Sequence, residues 1–280
     1  MARIFIVWLA VLASCVDNAT YPEAQPYLPQ AALRNGLGCV PNLDGQIEAN
    51  ELRPYVGVGA RYRVATDRKV DQAGTVAANG VRVWDWGWSA DAEQVLQVSA
   101  AVVVDQWYAA HFVQSPTGGP RFAVPFDADS TLDAVYSHDP QGLWLHGIAS
   151  RDQAPKSGQT LLVYAKPVQT AAFPLKAGTA WQAVGKISNG KLKGLPYGGQ
   201  DIYDFTADLG GKLLLPDITV DQALRVRAKV TATSMLGGSL TRVQTSFFFE
   251  CLGEVARATA GQNVTDPDFS LATEVRRLAL

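Results

Sequence analysis

Hydrophobic and polar residues alternate with a period of two in several separate segments of this 280-residue chain. In the clearest segment, residues 224–230, four aliphatic side chains alternate with two arginines and a lysine. The same kind of alternation occurs over residues 58–64, 132–136, 203–209 and 243–251. Because successive side chains of a strand point to opposite faces, these segments predict strands with one buried face. Such strands are typical of antiparallel sheets.

Turn-forming sequences such as Asn79-Gly80 and Gly210-Gly211 separate the alternating segments. The sequence therefore predicts a mainly β domain with a single antiparallel sheet, which can curve into a half-barrel. The end of the chain differs, because Leu271, Val275 and Leu278 have the i, i+4, i+7 spacing of a helix. We expect a short C-terminal helix there.

Composition excludes some classes of partner. The 24 basic and 26 acidic residues nearly cancel, so the chain has no overall field that would attract nucleic acid. Hydrophobic residues make up 48% of the chain, which argues against general disorder and for a sizeable core.

The first residues have the pattern of a secretory signal. Arg3 precedes an uncharged apolar run from Ile4 to Ala13, which is shorter than the roughly 20 residues that span a bilayer. The sequence Leu12-Ala13-Ser14-Cys15 then resembles the lipobox of bacterial lipoproteins. This resemblance implies cleavage before Cys15 and attachment of acyl chains, including palmitate, that anchor the protein in a membrane. The alternative is an ordinary signal peptide with an incidental cysteine.

The lipobox resemblance also implies a location and a domain plan. Val16 and Asp17 follow the cysteine, and an aspartate one place after the sorting position favours the outer membrane. We expect a signal peptide over residues 1–14, a lipidated tether rich in proline over residues 15–35, and a β-rich envelope domain over residues 36–280.

If Cys15 carries lipid, Cys39 and Cys251 remain. Two cysteines in an exported chain most simply form one disulfide. A reactive thiol or a metal site is the alternative, but neither cysteine belongs to a C-x-x-C motif.

Residues 42–51 resemble part of a calcium loop of the EF-hand or dockerin kind. Asn42, Asp44 and Glu51 match ligand positions of that loop, and oxygen ligands suit Ca²⁺. Val40 occupies the first ligand position, which departs from the pattern. The alternative is an Asx-type turn that leads into a short helix.

Three tryptophans, Trp84, Trp86 and Trp88, share one face of a predicted strand. Aromatic rings on a sheet can form a platform for a carbohydrate or an apolar ligand. The alternative is that these rings pack in the core.

Motifs of catalysis are missing from the sequence. It has no G-x-S-x-G, no H-E-x-x-H and no phosphate-binding glycine motif. We therefore expect a protein without enzymatic activity and without a cofactor, calcium apart, that has a structural or binding role in the cell envelope. Its partners would be the membrane, an envelope protein or a hydrophobic ligand. The alternatives are a carrier of a lipid or another hydrophobic ligand, and an envelope hydrolase.

Overall fold

A computed structural model describes residues 39–90, 92–112 and 119–280. The predicted signal peptide, the lipidation site Cys15 and the predicted tether lie outside these residues. The strands are β1 (Gln46–Ile47), β2 (Gly59–Lys69), β3 (Thr75–Val76), β4 (Arg82–Asp85), β5 (Gln94–Ser99), β6 (Ala101–Val102), β7 (Phe122–Pro125), β8 (Leu132–Asp139), β9 (Gly142–Ser150), β10 (Leu161–Ala172), β11 (Leu175–Lys176), β12 (Thr179–Leu192), β13 (Leu195–Leu214), β14 (Thr219–Ser234), β15 (Ser239–Phe249), β16 (Gly253–Ala260) and β17 (Leu271–Ala279). Ala109–Phe112 forms a 3₁₀ helix. Within the described residues, no helix has the length and apolar character needed to span a membrane.

Fifteen of the strands form one sheet. Its main path runs in the order β5-β2-β17-β16-β15-β14-β13-β12-β10-β9-β8-β7-β6, and neighbours along that path are antiparallel. The short strand β4 joins β13 from the side in parallel orientation. Strands β1 and β11 form a separate antiparallel pair.

The sheet is nearly closed, because β5 and β7 from its opposite ends contact each other. The prediction of a mainly β, antiparallel and curved domain is confirmed. We call the face that lines the interior of this curve the inner face, and the opposite face the outer face.

Residues 70–88 and 103–112 cover much of the outer face. Trp84 packs edge-to-face on Phe247 of β15, and Tyr108 packs in a second apolar group with Val135 of β8. The alternating pattern predicts a solvated back for these strands. The outer face is buried here instead, because bulky aromatic residues from connecting segments cover it.

Residues 39–56, which we call the leading segment, pack against the inner face. Ile47 and Leu52 belong to an apolar group with Phe205 of β13 and Leu224 of β14. Its first residue, Cys39, forms a disulfide with Cys251 in the turn after β15, with the two Cα atoms 5.5 Å apart. The disulfide predicted from the sequence is therefore confirmed.

The predicted C-terminal helix is wrong. Residues 271–279 form β17, which lies between β16 and β2 and pairs with both. The spacing of Leu271, Val275 and Leu278 imitates a helical face, but Leu271 is 55% exposed while Val275 is fully buried. The chain gains two ladders of backbone hydrogen bonds by extending here, and β16 and β2 would otherwise be open edges.

Candidate functional site: a polar cluster on the inner face

Charged and hydroxyl-bearing side chains gather on the inner face of the sheet. Backbone register places Ser246, Arg257 and Arg276 next to one another on β15, β16 and β17. Hydrogen bonds, ion pairs and electrostatic effects join them to further residues. The inner polar cluster comprises Tyr62, Tyr136, Ser246, Glu254, Arg257, Glu274 and Arg276.

Most members of the inner polar cluster are held by short hydrogen bonds. The Tyr62 hydroxyl donates to the backbone oxygen of Glu254 at 2.7 Å, and the Ser246 hydroxyl donates to Glu254 Oε1 at 2.6 Å. Arg276 Nε donates to Glu274 Oε1 at 2.6 Å, and its side chain is only 5% exposed. These bonds fix both carboxylates in place, because charge-assisted hydrogen bonds of this length are among the strongest in proteins.

Arg257 differs from the other members of the cluster. Its guanidinium nitrogens lie 3.6 Å from Glu254 Oε2 and 3.9 Å from Glu274 Oε1, which is ion-pair contact but too long for hydrogen bonds. Within the described part of the chain, its Nε has no hydrogen-bond partner although it is buried. The side chain keeps 20% of its surface exposed. The guanidinium therefore has N–H groups from which no oxygen of the described chain accepts a hydrogen bond, and part of its surface remains exposed.

Tyr136 of β8 faces this guanidinium across the interior. Burial raises the pKa of Tyr136 to about 12, and the charges of Arg257 and Glu254 also act on it. Strands β8 and β16 are not neighbours in the sheet, so this electrostatic effect acts across the interior of the curved sheet. Burial also raises the pKa of Tyr62. Both phenols remain neutral at physiological pH and can donate hydrogen bonds, but they are poor general bases.

A second polar group lies on the inner face beside the cluster. Tyr164 of β10 donates a hydrogen bond of 2.6 Å to Asp201 Oδ2 and shares one of 2.8 Å with the hydroxyl of Tyr203. Burial raises the pKa of Asp201, and the hydrogen bond from Tyr164 opposes that rise. Tyr203 is also affected by Tyr136, which connects this group to the inner polar cluster. Polar side chains thus occur on the inner face both at β15–β17 and at β10–β13.

A buried serine and histidine form a separate pair in the β8–β9 hairpin. The Ser137 hydroxyl and His146 Nε2 are 2.8 Å apart, as a nucleophile and its base would be. Ser137 is fully buried and His146 is 3% exposed, so neither is presented to a substrate. Burial, followed by the charge of Arg121, lowers the pKa of His146 to about 4. We interpret this pair as a satisfied polar contact in which the imidazole is neutral.

The depressed pKa of His146 predicts a pH-dependent loss of stability. The unfolded chain binds a proton at a pKa near 6.5, whereas the folded chain resists protonation until about pH 4. Stability is therefore full above pH 6.5 and falls as the pH approaches 4, by up to about 3 kcal/mol from this group. His146→Gln should flatten the curve of unfolding free energy against pH over this range. The exposed His111→Gln is the control, and equal slopes for wild type and His146→Gln would contradict the prediction.

The three tryptophans that the sequence singles out occupy the outer face. Trp84 and Trp86 are fully buried, and their indole N–H groups donate to backbone oxygens of Gln72 and Asp71. Trp88 stacks on the guanidinium of Arg277, 3.6 Å from its ring centroid. Core packing therefore replaces the ligand platform as the role of Trp84 and Trp86, because neither ring has an exposed face.

The residues of the predicted calcium loop are engaged in local hydrogen bonds. Asn42 and Asp44 bond to each other, and Asp44 Oδ1 accepts from the backbone N–H of Gln46, as in an Asx-type turn. Glu51 is 5% exposed and accepts from the backbone N–H of Glu48. In residues 39–90, 92–112 and 119–280, no group of three or more histidine, cysteine or acidic side chains is arranged to hold a metal ion. Calcium binding stays an untested prediction.

Sequence reasoning did not identify the inner polar cluster. One signal was present, because Glu274 and Arg276 alternate with Val275 and Arg277 as in a strand with two different faces. The helical spacing of Leu271, Val275 and Leu278 obscured this strand pattern. Comparisons with known proteins give no match, whether with protein families, with curated proteins or with solved structures.

Proposed function

We propose that this protein is a bacterial lipoprotein anchored through acyl chains on Cys15, and that it acts as a binding protein of the cell envelope rather than as an enzyme, with its ligand held at the inner polar cluster. The supporting observation is the Arg257 guanidinium, which lies on the inner face without a hydrogen bond to the described chain. A ligand with a carboxylate or phosphate oxygen would complete its hydrogen bonding, because a guanidinium can bind two such oxygens at once.

The chemistry of the cluster supports binding rather than catalysis. Glu254 and Glu274 are already bonded to Ser246 and Arg276, so neither is free to act as a base. The tyrosines of the cluster remain protonated near neutral pH. Such a set can hold and orient a polar ligand through its hydroxyl and guanidinium donors.

The charged side chains of the inner polar cluster also bear on the alternative function, which is that of a lipid carrier. Such a carrier needs an apolar surface for the acyl chain, and burying charged groups against hydrocarbon is costly. Arg257, Glu254 and Glu274 each keep about a fifth to a quarter of their side-chain surface exposed on the inner face. A polar headgroup fits this surface better than an acyl chain.

Arg257→Gln tests the binding site. We expect the full chain, purified without denaturation, to carry a bound small molecule in native mass spectra, and the variant to lose it by at least about tenfold, because a charge-assisted hydrogen bond is worth about 1.5–3 kcal/mol. Arg63→Gln is a control, since Arg63 lies on the opposite face of the sheet, pairs with Asp217 and Glu93 there, and is more exposed than Arg257. A bound mass that survives in Arg257→Gln as in the control would contradict the proposal.

Cys15→Ser tests the anchor separately. The variant should lose labelling with palmitate and should leave the membrane fraction after a high-salt wash, because salt screens electrostatic attraction to lipid but does not release acyl chains from a bilayer. Wild-type and Cys15→Ser chains should bind the same ligand. A variant that still fractionates with membranes and still incorporates palmitate would contradict the lipoprotein assignment.

A further inference from the structure

Two neighbouring hairpins end in exposed apolar side chains at one end of the sheet. The tip between β12 and β13 presents Leu192 and Leu195, which are 39% and 70% exposed. The tip between β14 and β15 presents Met235 and Leu236, which are 77% and 94% exposed. Exposing large apolar side chains to water is unfavourable, and this cost is removed when another surface covers them.

The two tips belong to adjacent hairpins. The backbone N–H of Met235 donates to the backbone oxygen of Gly198, 2.9 Å away, so the second tip packs beside the base of the first. A Cβ atom at Gly198 would lie 2.6 Å from Met235 Sδ, so a larger residue there would separate the hairpins. We call Leu192, Leu195, Met235 and Leu236 together the apolar tips. They lie at the end of β15 opposite to the Cys39–Cys251 disulfide.

The parts of the two hairpins nearest the apolar tips are also positively charged, whereas further along the same strands lie Asp201, Asp204, Asp208 and Asp221. Residues 186–200 and 229–249 contain no aspartate or glutamate. They contain five basic residues, namely Lys186, Lys191, Lys193, Lys229 and Arg242. None of the five forms an ion pair with the part of the chain that the structure describes. This concentration stands out in a chain whose formal net charge is −2.

Apolar side chains at a projecting tip, flanked by lysines that form no ion pair with the described chain, match the two forces that hold a protein at a lipid surface. The apolar groups leave water for the boundary between headgroups and acyl chains, and the lysines are attracted by anionic headgroups. A protein partner would have to provide a matching acidic and apolar surface, whereas an anionic bilayer provides both along its whole surface. We propose that the apolar tips dock on an anionic lipid bilayer.

The test uses the full chain carrying Cys15→Ser, so that acyl chains cannot contribute. We expect it to float with vesicles of two parts phosphatidylcholine to one part phosphatidylglycerol, and only weakly with pure phosphatidylcholine. Leu195→Ser, Met235→Ser and Leu236→Ser combined should reduce the bound fraction by at least about tenfold. Lys191→Gln and Lys193→Gln combined should reduce it by roughly tenfold at physiological ionic strength.

A matched control carries Val95→Ser and Val104→Ser, which remove apolar side chains that are 66% and 78% exposed but lie outside the two hairpins. This control should bind the anionic vesicles like the parent chain. Circular dichroism on all variants checks that they are folded. The proposal is overturned if the parent chain does not float with anionic vesicles, if the tip variant floats like the parent, or if the control loses binding to the same extent. The outcome is independent of ligand binding at Arg257.

Discussion

Arg277→Met is expected to destabilise the fold by about 3–5 kcal/mol, because it leaves the largely buried charge of Glu93 with only its long ion pair to Arg63. Arg277 is fully buried in β17 and forms an ion pair with Glu93. Its guanidinium also donates to the backbone oxygens of Trp86 and Trp88 and stacks on the Trp88 ring. In thermal unfolding, a loss of this size should lower the midpoint by roughly 10 °C.

Two further variants show whether the effect comes from the buried charge. Lys212→Met removes an exposed cation that pairs with Asp221, and we expect a cost below about 1 kcal/mol. Adding Glu93→Gln to Arg277→Met should recover part of the loss, since the uncompensated carboxylate is then removed. Equal unfolding midpoints for Arg277→Met and Lys212→Met would contradict this account of the outer face.

Replacing both Cys39 and Cys251 by serine is expected to cost about 4–5 kcal/mol in the free energy of unfolding. The two cysteines are 212 residues apart in sequence, so the bond closes a very long loop in the unfolded chain. The bond also secures the leading segment, whose Ile47 and Leu52 pack with Phe205 on the inner face.

Denaturant unfolding measures the total loss, and hydrogen exchange at Ile47 shows whether the leading segment opens first. Cys15→Ser is the matched control and should leave the unfolding free energy unchanged. A double serine variant that is as stable as this control, with equal protection at Ile47, would show that the disulfide does not hold the leading segment.

Local pattern in the sequence was sufficient for the strands with strong alternation. Residues 224–230 and 203–209 lie in β14 and β13 as predicted, because their apolar positions repeat with a period of two and cover a packed face. The same rule failed for residues 271–279. There the inner and outer faces both carry arginine, so polarity does not distinguish a solvated side from a buried one.

The inner polar cluster could not be predicted from local pattern. Tyr136 and Arg257 are separated by more than a hundred residues and lie on strands that are not neighbours. They approach each other only because the whole sheet curves, and curvature depends on the summed twist of many strands. The roles of Trp84 and Trp86 depend in the same way on which face their connecting segment covers, although core packing was one of the two readings that the sequence left open.

A crystal structure of the chain purified from its native membranes tests the binding role of the inner polar cluster most directly. The account predicts an oxyanion that does not belong to the protein, with oxygens about 2.7–3.2 Å from the Arg257 guanidinium nitrogens. A guanidinium that bonds only to Glu254, Glu274 and ordered water in that structure would contradict it.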